Sequence, residues 1–110
     1  MEEPINVKEV SKLTYGILKS NGFEIETTGE NLKTLTEFRI YLTKRLSKML
    51  DDDYNGVINL LYRIDVDEEE LHKLFSSSNK DFIPAALADL IINRQIEKIK
   101  WRLKIENGEI

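Results

Sequence analysis

"PAALADLIINRQIEKIKWRLKIENG", residues 84–108, is the stretch that decides the fold of this chain. Pro84 suits the first turn of a helix, because the N–H that proline lacks would have no intrahelical partner there. No further Pro and no Gly interrupts the chain before Gly108. The stretch therefore predicts one helix over residues 83–105, the longest in the protein.

An apolar stripe runs along this helix at intervals of four, three and four residues, which is the spacing of a coiled-coil seam. Two interpretations stay open: the other helices cover the stripe as core, or its second half packs on the same stripe of another copy. A tryptophan beside basic residues is typical of an interface anchor and also of a core edge. The candidate partner interface comprises Ile92, Ile96, Ile99, Trp101, Arg102 and Leu103.

Four shorter helices precede the long one. Apolar residues at intervals of three and four predict them over residues 7–19, 34–50, 54–64 and 68–75. Asn6 and Thr34 each stand three residues before a glutamate, as in a capping box, Asp67 is a typical N-cap, and Gly22 is a helix stop. The segment at 23–33 is expected to be an extended connection that packs on the core, although its composition does not decide between extended and helical.

The five segments together predict an all-α fold. We expect an irregular antiparallel helical bundle of about five helices with a long C-terminal helix. A chain of 110 residues with 41% hydrophobic side chains has the material for one core. We therefore expect a single helical domain over residues 1–110.

The composition removes several kinds of chemistry. Zero cysteines exclude disulfides, Cys-ligated zinc, iron–sulfur clusters and thiol catalysis. The single histidine, His72, has no second His and no Cys with which to share a metal ion. The five glycines are scattered singly, so no phosphate-binding loop is formed. We expect no catalytic, cofactor-binding or metal-binding residues and a protein that is not an enzyme.

The stretch "DDDYNG", residues 51–56, begins as a calcium-binding loop begins. Four residues match the first, third, fifth and sixth positions of the EF-hand pattern: Asp51, Asp53, Asn55 and Gly56. The twelfth position, which must supply a bidentate acid, is Tyr62. We therefore interpret the stretch as a helix cap by Asp52 or Asp53, with Gly56 allowing a neighbouring helix to cross closely. A calcium or other metal site at 51–56 is the weaker alternative.

Charge is distributed unevenly along a chain of net charge −4. Residues 51–70 hold eight acidic side chains and one basic one, whereas residues 94–104 hold five basic side chains and one acidic one. We interpret this as solvated helix faces that complement each other within the fold or between subunits. Nucleic-acid binding through the basic C-terminal helix is the alternative, although only one aromatic residue accompanies these charges.

Nothing in the chain predicts a membrane segment or a leader. No apolar run approaches the roughly 20 residues that span a bilayer. The N-terminal "MEEPINVKEV" has neither the basic region nor the apolar block of a signal peptide. We expect a cytoplasmic protein.

Two segments resemble known proteins: "LLYRIDVDEEEL" at residues 60–71 and "LADLIINRQIEKIK" at residues 87–100. In this order they resemble short uncharacterised bacterial helical proteins with an LYRIDV…LADLI…RQ-EK pattern, over roughly residues 35–104. The group has no known activity or site residues, so the resemblance implies a bacterial cytoplasmic setting and no function. In that group an aspartate followed by a helix precedes "YRID", which favours the cap at residues 51–56.

These observations lead to one functional expectation. We expect a non-enzymatic protein-interaction or assembly module, without cofactor, that self-associates through its C-terminal helix. The expected partner is a second copy or another protein, and nucleic acid is the alternative.

Overall fold

A computed structural model describes residues 6–23 and 34–108, which form five α-helices and, over these residues, no strand. The helices are α1 Val7–Ser20, α2 Leu35–Asp52, α3 Tyr54–Arg63, α4 Glu68–Phe75 and α5 Ile83–Glu106. Each boundary lies within two residues of the range expected from the sequence. The prediction of an all-α bundle with a long C-terminal helix is confirmed.

Local hydrogen bonds start the first four helices. In each of them the side chain before the first turn accepts a hydrogen bond from a backbone N–H two or three residues ahead, at 2.9 to 3.1 Å. The four caps are Asn6, Thr34, Asp53 and Asp67. Helix α5 has no side-chain cap and instead carries proline in its first turn, as the sequence predicted.

The end of α1 closes on Gly22. This residue has a φ of 86°, and the N–H of Phe23 donates to the carbonyl of Leu18 at 3.0 Å. Such a closure needs a left-handed residue, which glycine adopts without steric cost. Phe23 is partly buried against the core, as expected, whereas the rest of the predicted extended connection, residues 24–33, lies outside the described residues.

Helices α2 and α5 form the centre of the bundle and run antiparallel. Near the start of α2, Arg39 makes a two-pronged ion pair with Asp89 of α5. Near the end of α2, Ser47 lines a groove with Pro84, from the first turn of α5. The two helices therefore cover each other over the length of α2, and the last turns of α5 extend past its start.

Helix α1 packs across the first half of α2 and the second half of α5. The ring of Tyr15 stands edge-on to Phe38 at 5.8 Å and to Tyr41 at 6.2 Å, measured between ring centroids. Glu9 forms an ion pair with Arg102. The carboxylate of Glu9 thus pairs with a residue of α5. Of the capping box expected at Asn6, the structure shows the hydrogen bonds that the asparagine side chain accepts.

The junction of α2 and α3 corrects two details of the sequence interpretation. Helix α2 continues to Asp52 because the N–H of Asp53 still donates to the carbonyl of Met49 at 2.8 Å. Asp51 and Asp52 are therefore helical, and Asp53 is the cap of α3. The close neighbour of Gly56 is the carboxylate of Asp53, and the expected crossing helix is not what surrounds it.

Candidate interaction surface

The predicted seam of α5 divides between the core and its margin. Ile92 and Ile99 are buried within the single chain, as the core interpretation expects. Ile96 and Leu103 are partly buried and pack against the same core. The apolar stripe is therefore largely used inside the monomer, because α1 and α2 lie along it.

Trp101 and Ile105 are the apolar residues of the last turns that the fold leaves uncovered. Their side chains are 57% and 55% exposed, and a separation of four residues places them on one face of α5. An indole this open to water forgoes much of the stabilisation that burial of about 150–250 Å² of aromatic surface provides. Trp101 belongs to the predicted interface, whereas sequence reasoning missed Ile105; its spacing from Trp101 was the available signal.

Arg94 connects this face to the turn between α3 and α4. Its guanidinium donates to the carbonyl of Ile64 at 3.3 Å, to Asp65 at 3.2 Å and to Glu97 at 3.1 Å. A shallow cavity of about 390 Å³ lies between Arg94, Glu97, Lys98 and Trp101. One guanidinium here faces two carboxylates, so a net negative charge remains beside Lys98, which itself forms no ion pair within the described residues.

The remaining basic side chains of this end differ in their partners. Arg102, a predicted interface residue, pairs with Glu9 of α1 and lies 3.8 Å from Glu106, so it holds α1 against α5. No ion pair within the described residues involves Lys98 or Lys104, which lie about one turn from Trp101 on the same side of α5, or Lys100, which projects about 100° away around the helix. We call Trp101, Ile105, Lys98 and Lys104 the Trp101 face.

A second uncovered feature lies at the opposite end of α5, where four helices meet. A groove of about 410 Å³ opens between the end of α2, the starts of α3 and α5, and the end of α4. It is lined by Ser47, Leu50, Asp51, Tyr54, Phe75, Lys80, Asp81, Ile83 and Pro84, and we call it the junction groove. Sequence reasoning could not find it, because its walls come from four segments that meet only in the folded chain.

The stretch that resembled a calcium loop is a helix junction. Asp51 lies in the last turn of α2, and the carboxylate of Asp53 accepts the N–H of Gly56 at 3.0 Å. In the part of the chain that the structure describes, no group of three His, Cys, Asp or Glu side chains is arranged to hold a metal ion. The geometry assigns Asp53 to helix capping.

None of the described helices combines the length and the apolar character needed to cross a bilayer. Comparisons of the chain with protein-family models, with curated proteins and with solved structures give no match. The two surfaces described above are therefore the basis for a functional proposal.

Proposed function

We propose that this chain is a non-enzymatic protein-interaction or assembly module that self-associates through its C-terminal helix. The observation that carries the proposal is the exposure of Trp101 at the end of a helix whose other large apolar side chains are mostly covered. Tryptophan is the residue type most enriched among interface side chains that dominate binding energy. A cytoplasmic and bacterial setting, suggested by the resemblance, belongs to the same proposal.

The surroundings of Trp101 suit a protein partner. Lysines that form no ion pair within the described residues lie at the edge of an apolar centre, and a polar rim around an apolar core is the usual arrangement of an interface. The chain as a whole is acidic, with a net charge of −4, so a second copy offers carboxylates to this rim. Charge complementarity of this kind sets the orientation of partners and the rate at which they meet.

Light scattering across a concentration series tests the proposal. We expect the native chain to exceed its monomer mass of 12.8 kDa as the concentration rises, and Trp101→Asp to remain monomeric. The matched control is Tyr62→Asp, because Tyr62 of α3 is 56% exposed and lies outside the Trp101 face. Circular dichroism establishes that all three chains are folded. A native chain that stays monomeric up to its solubility limit would overturn the proposal.

Nucleic-acid binding is the second candidate, and the observation that favours it is a group of lysines near one aromatic ring that form no ion pair within the described residues. Phosphate contacts of this kind make affinity fall steeply with salt. Fluorescence anisotropy of labelled single-stranded and duplex oligonucleotides tests it. The second candidate predicts binding at low salt that is lost when Lys98, Lys100 and Lys104 are changed together to Gln. An anisotropy that does not change at low salt would exclude it.

A further inference from the structure

We infer that the Trp101 side chain of one copy docks in the junction groove of a second copy. The inference rests on the proposed function, since it names the surface that receives the C-terminal helix. The occupant of the groove is a second molecule of the same chain. Four observations carry it: the position, the shape, the lining and the charge of the groove.

Position makes the contact intermolecular. Trp101 lies 18 residues beyond Ile83, the first residue of α5, and at 1.5 Å per residue this separation is about 27 Å along the helix. The indole cannot reach the groove of its own chain. When two copies lie with their α5 helices antiparallel, however, each indole meets the groove of the other copy.

The shape of the junction groove suits one large side chain. Its volume of about 410 Å³ falls within the range of about 300–1,000 Å³ that is usual for pockets enclosing small molecules. Apolar walls come from Leu50, Ile83 and Pro84. Because Leu50 and Pro84 are only partly buried in the single chain, an entering indole removes further apolar surface from water.

Aromatic rings complete the lining. Tyr54 is 50% exposed, and its ring stands edge-on to Phe75 with the centroids 5.8 Å apart. Among the described residues, the ring of Tyr54 contacts no ring besides that of Phe75, so it presents further ring surface to the groove. Aromatic pairs at this range of separations attract each other beyond the effect of the area that they bury.

Charge distinguishes this groove from other receiving surfaces. Asp51 and Asp81 line the groove and form no ion pair within the described chain. Lys80 also lines it and keeps its positive charge while donating to the carbonyl of Phe75, so the charged lining is negative by one charge. The two carboxylates therefore face the lysines around the incoming indole. Direct packing of one Trp101 face on another would instead oppose lysine to lysine.

The acidic first turn of α4 is another negatively charged surface. Its glutamates, Glu68, Glu69 and Glu70, are exposed. They project from the outside of a helix, and they provide no apolar wall against which an indole could be buried. This surface can attract a basic partner but cannot enclose a tryptophan, so it does not compete with the groove for Trp101.

The test changes the groove and leaves the Trp101 face intact. Tyr54→Lys removes an aromatic wall and adds a positive charge that repels the incoming lysines. Its matched control is Tyr62→Lys, the same substitution on the same helix at a residue of similar exposure. By light scattering we expect Tyr54→Lys to remain monomeric where the native chain and Tyr62→Lys associate. Ser47→Arg, which obstructs the groove from an exposed position, replaces Tyr54→Lys should circular dichroism reveal an unfolded variant.

Mixing two variants then tests whether the contact joins one intact Trp101 face to one intact groove. Trp101→Asp keeps an intact groove, and Tyr54→Lys keeps an intact Trp101 face, so a 1:1 mixture contains one working pair. We expect the mixture to form a species of two chains, although each variant alone is monomeric. Sedimentation velocity distinguishes this two-chain species from the monomeric variants.

The remaining outcomes keep the two proposals apart. A native chain that never associates removes both. A Tyr54→Lys chain that associates as the native chain does, while Trp101→Asp does not, leaves self-association through α5 standing and overturns the groove as its receptor. Variants that stay monomeric after mixing, at concentrations well above those at which the native chain associates, also overturn the groove, because the mixture offers one intact Trp101 face to one intact groove.

Discussion

The carboxylate of Asp53 occupies the space in which a β-carbon on Gly56 would stand. A β-carbon built there lies 2.7 Å from the carboxyl carbon of Asp53, while the N–H of Gly56 donates to the same carboxylate at 3.0 Å. The cap of α3 and the glycine in its first turn are therefore a coupled pair. The capping carboxylate needs a residue without a β-carbon at position 56, and the glycine there leaves it room.

This coupling gives the first prediction. Gly56→Ala gains about 1 kcal/mol of helix propensity but displaces the cap, whose loss costs about 1 kcal/mol, so we expect little net change in the free energy of unfolding. In an Asp53→Ala background, Gly56→Ala should raise the free energy of unfolding by about 0.5–1 kcal/mol. Urea denaturation of the four chains measures the coupling. Equal effects of Gly56→Ala in both backgrounds would contradict it.

Asp65 gives a second prediction from its backbone. It has a φ of 60° at the end of α3, where most side chains are strained. We expect Asp65→Gly to raise the free energy of unfolding by about 0.5–1 kcal/mol and Asp65→Val to lower it by about 1 kcal/mol. Both variants lose the exposed ion pair with Arg94 equally. A difference between their free energies of unfolding, measured by chemical denaturation, therefore reports the backbone preference at residue 65. Variants of equal stability would show that φ is unimportant there.

Gln95 gives a third prediction from the core. Its side chain is fully buried on α5, and neither its amide oxygen nor its amide nitrogen has a hydrogen-bond partner in the described part of the chain. An unsatisfied buried polar group costs about 1–3 kcal/mol. We expect Gln95→Met, which is similar in length, to raise the urea midpoint. The contrasting variant is Gln95→Glu, in which burial of a charge should lower the midpoint; a fall with Gln95→Met would contradict the interpretation.

Tyr15 gives a prediction about pH. Burial, and to a smaller extent the nearby Tyr41, raises the pKa of the Tyr15 hydroxyl to about 12 from its ordinary value of 10.0. The unfolded chain therefore loses this proton first, so the stabilising contribution is complete below pH 10 and declines as the pH rises toward 12. Because the ring is partly open to solvent, we expect the loss to be about 1 kcal/mol.

Tyr15→Phe isolates this contribution. The hydroxyl is buried and makes no hydrogen bond to the described residues, so its removal should leave stability unchanged or raised at neutral pH. Denaturant melts of both chains from pH 9 to pH 12 make the comparison. We expect the native chain to lose more stability than Tyr15→Phe over this range. Parallel curves would refute the assignment.

Trp101 gives a spectroscopic prediction, because it is the only tryptophan in the chain. On docking its indole leaves water, so its emission should move to shorter wavelength as the protein concentration rises. Added salt should move this transition to higher concentration, since the Debye length falls to about 10 Å at 0.1 M and screens the lysines. We expect Tyr62→Lys to retain the shift and Tyr54→Lys to lose it.

Helix positions were predictable because their signals are local. A cap such as Thr34 acts on an N–H three residues away, and the apolar period of a helix is read within a few turns. The candidate site was predictable only in part. Trp101 was found from its basic neighbours, but two of the partners of Arg94, Ile64 and Asp65, are 30 and 29 residues away, beyond the reach of any local pattern.

The sequence by itself thus determined an all-α chain, the extent of its helices and the placement of a tryptophan in a basic C-terminal stretch. Only the tertiary structure decided which side of α5 is covered. Helix α1 crosses the second half of α5, held by the pair of Glu9 with Arg102, and this crossing leaves Ile99 in the core and Trp101 outside it. The physical reason is that hydrogen bonds along the backbone set a helix locally, whereas burial depends on contacts between residues up to about ninety positions apart.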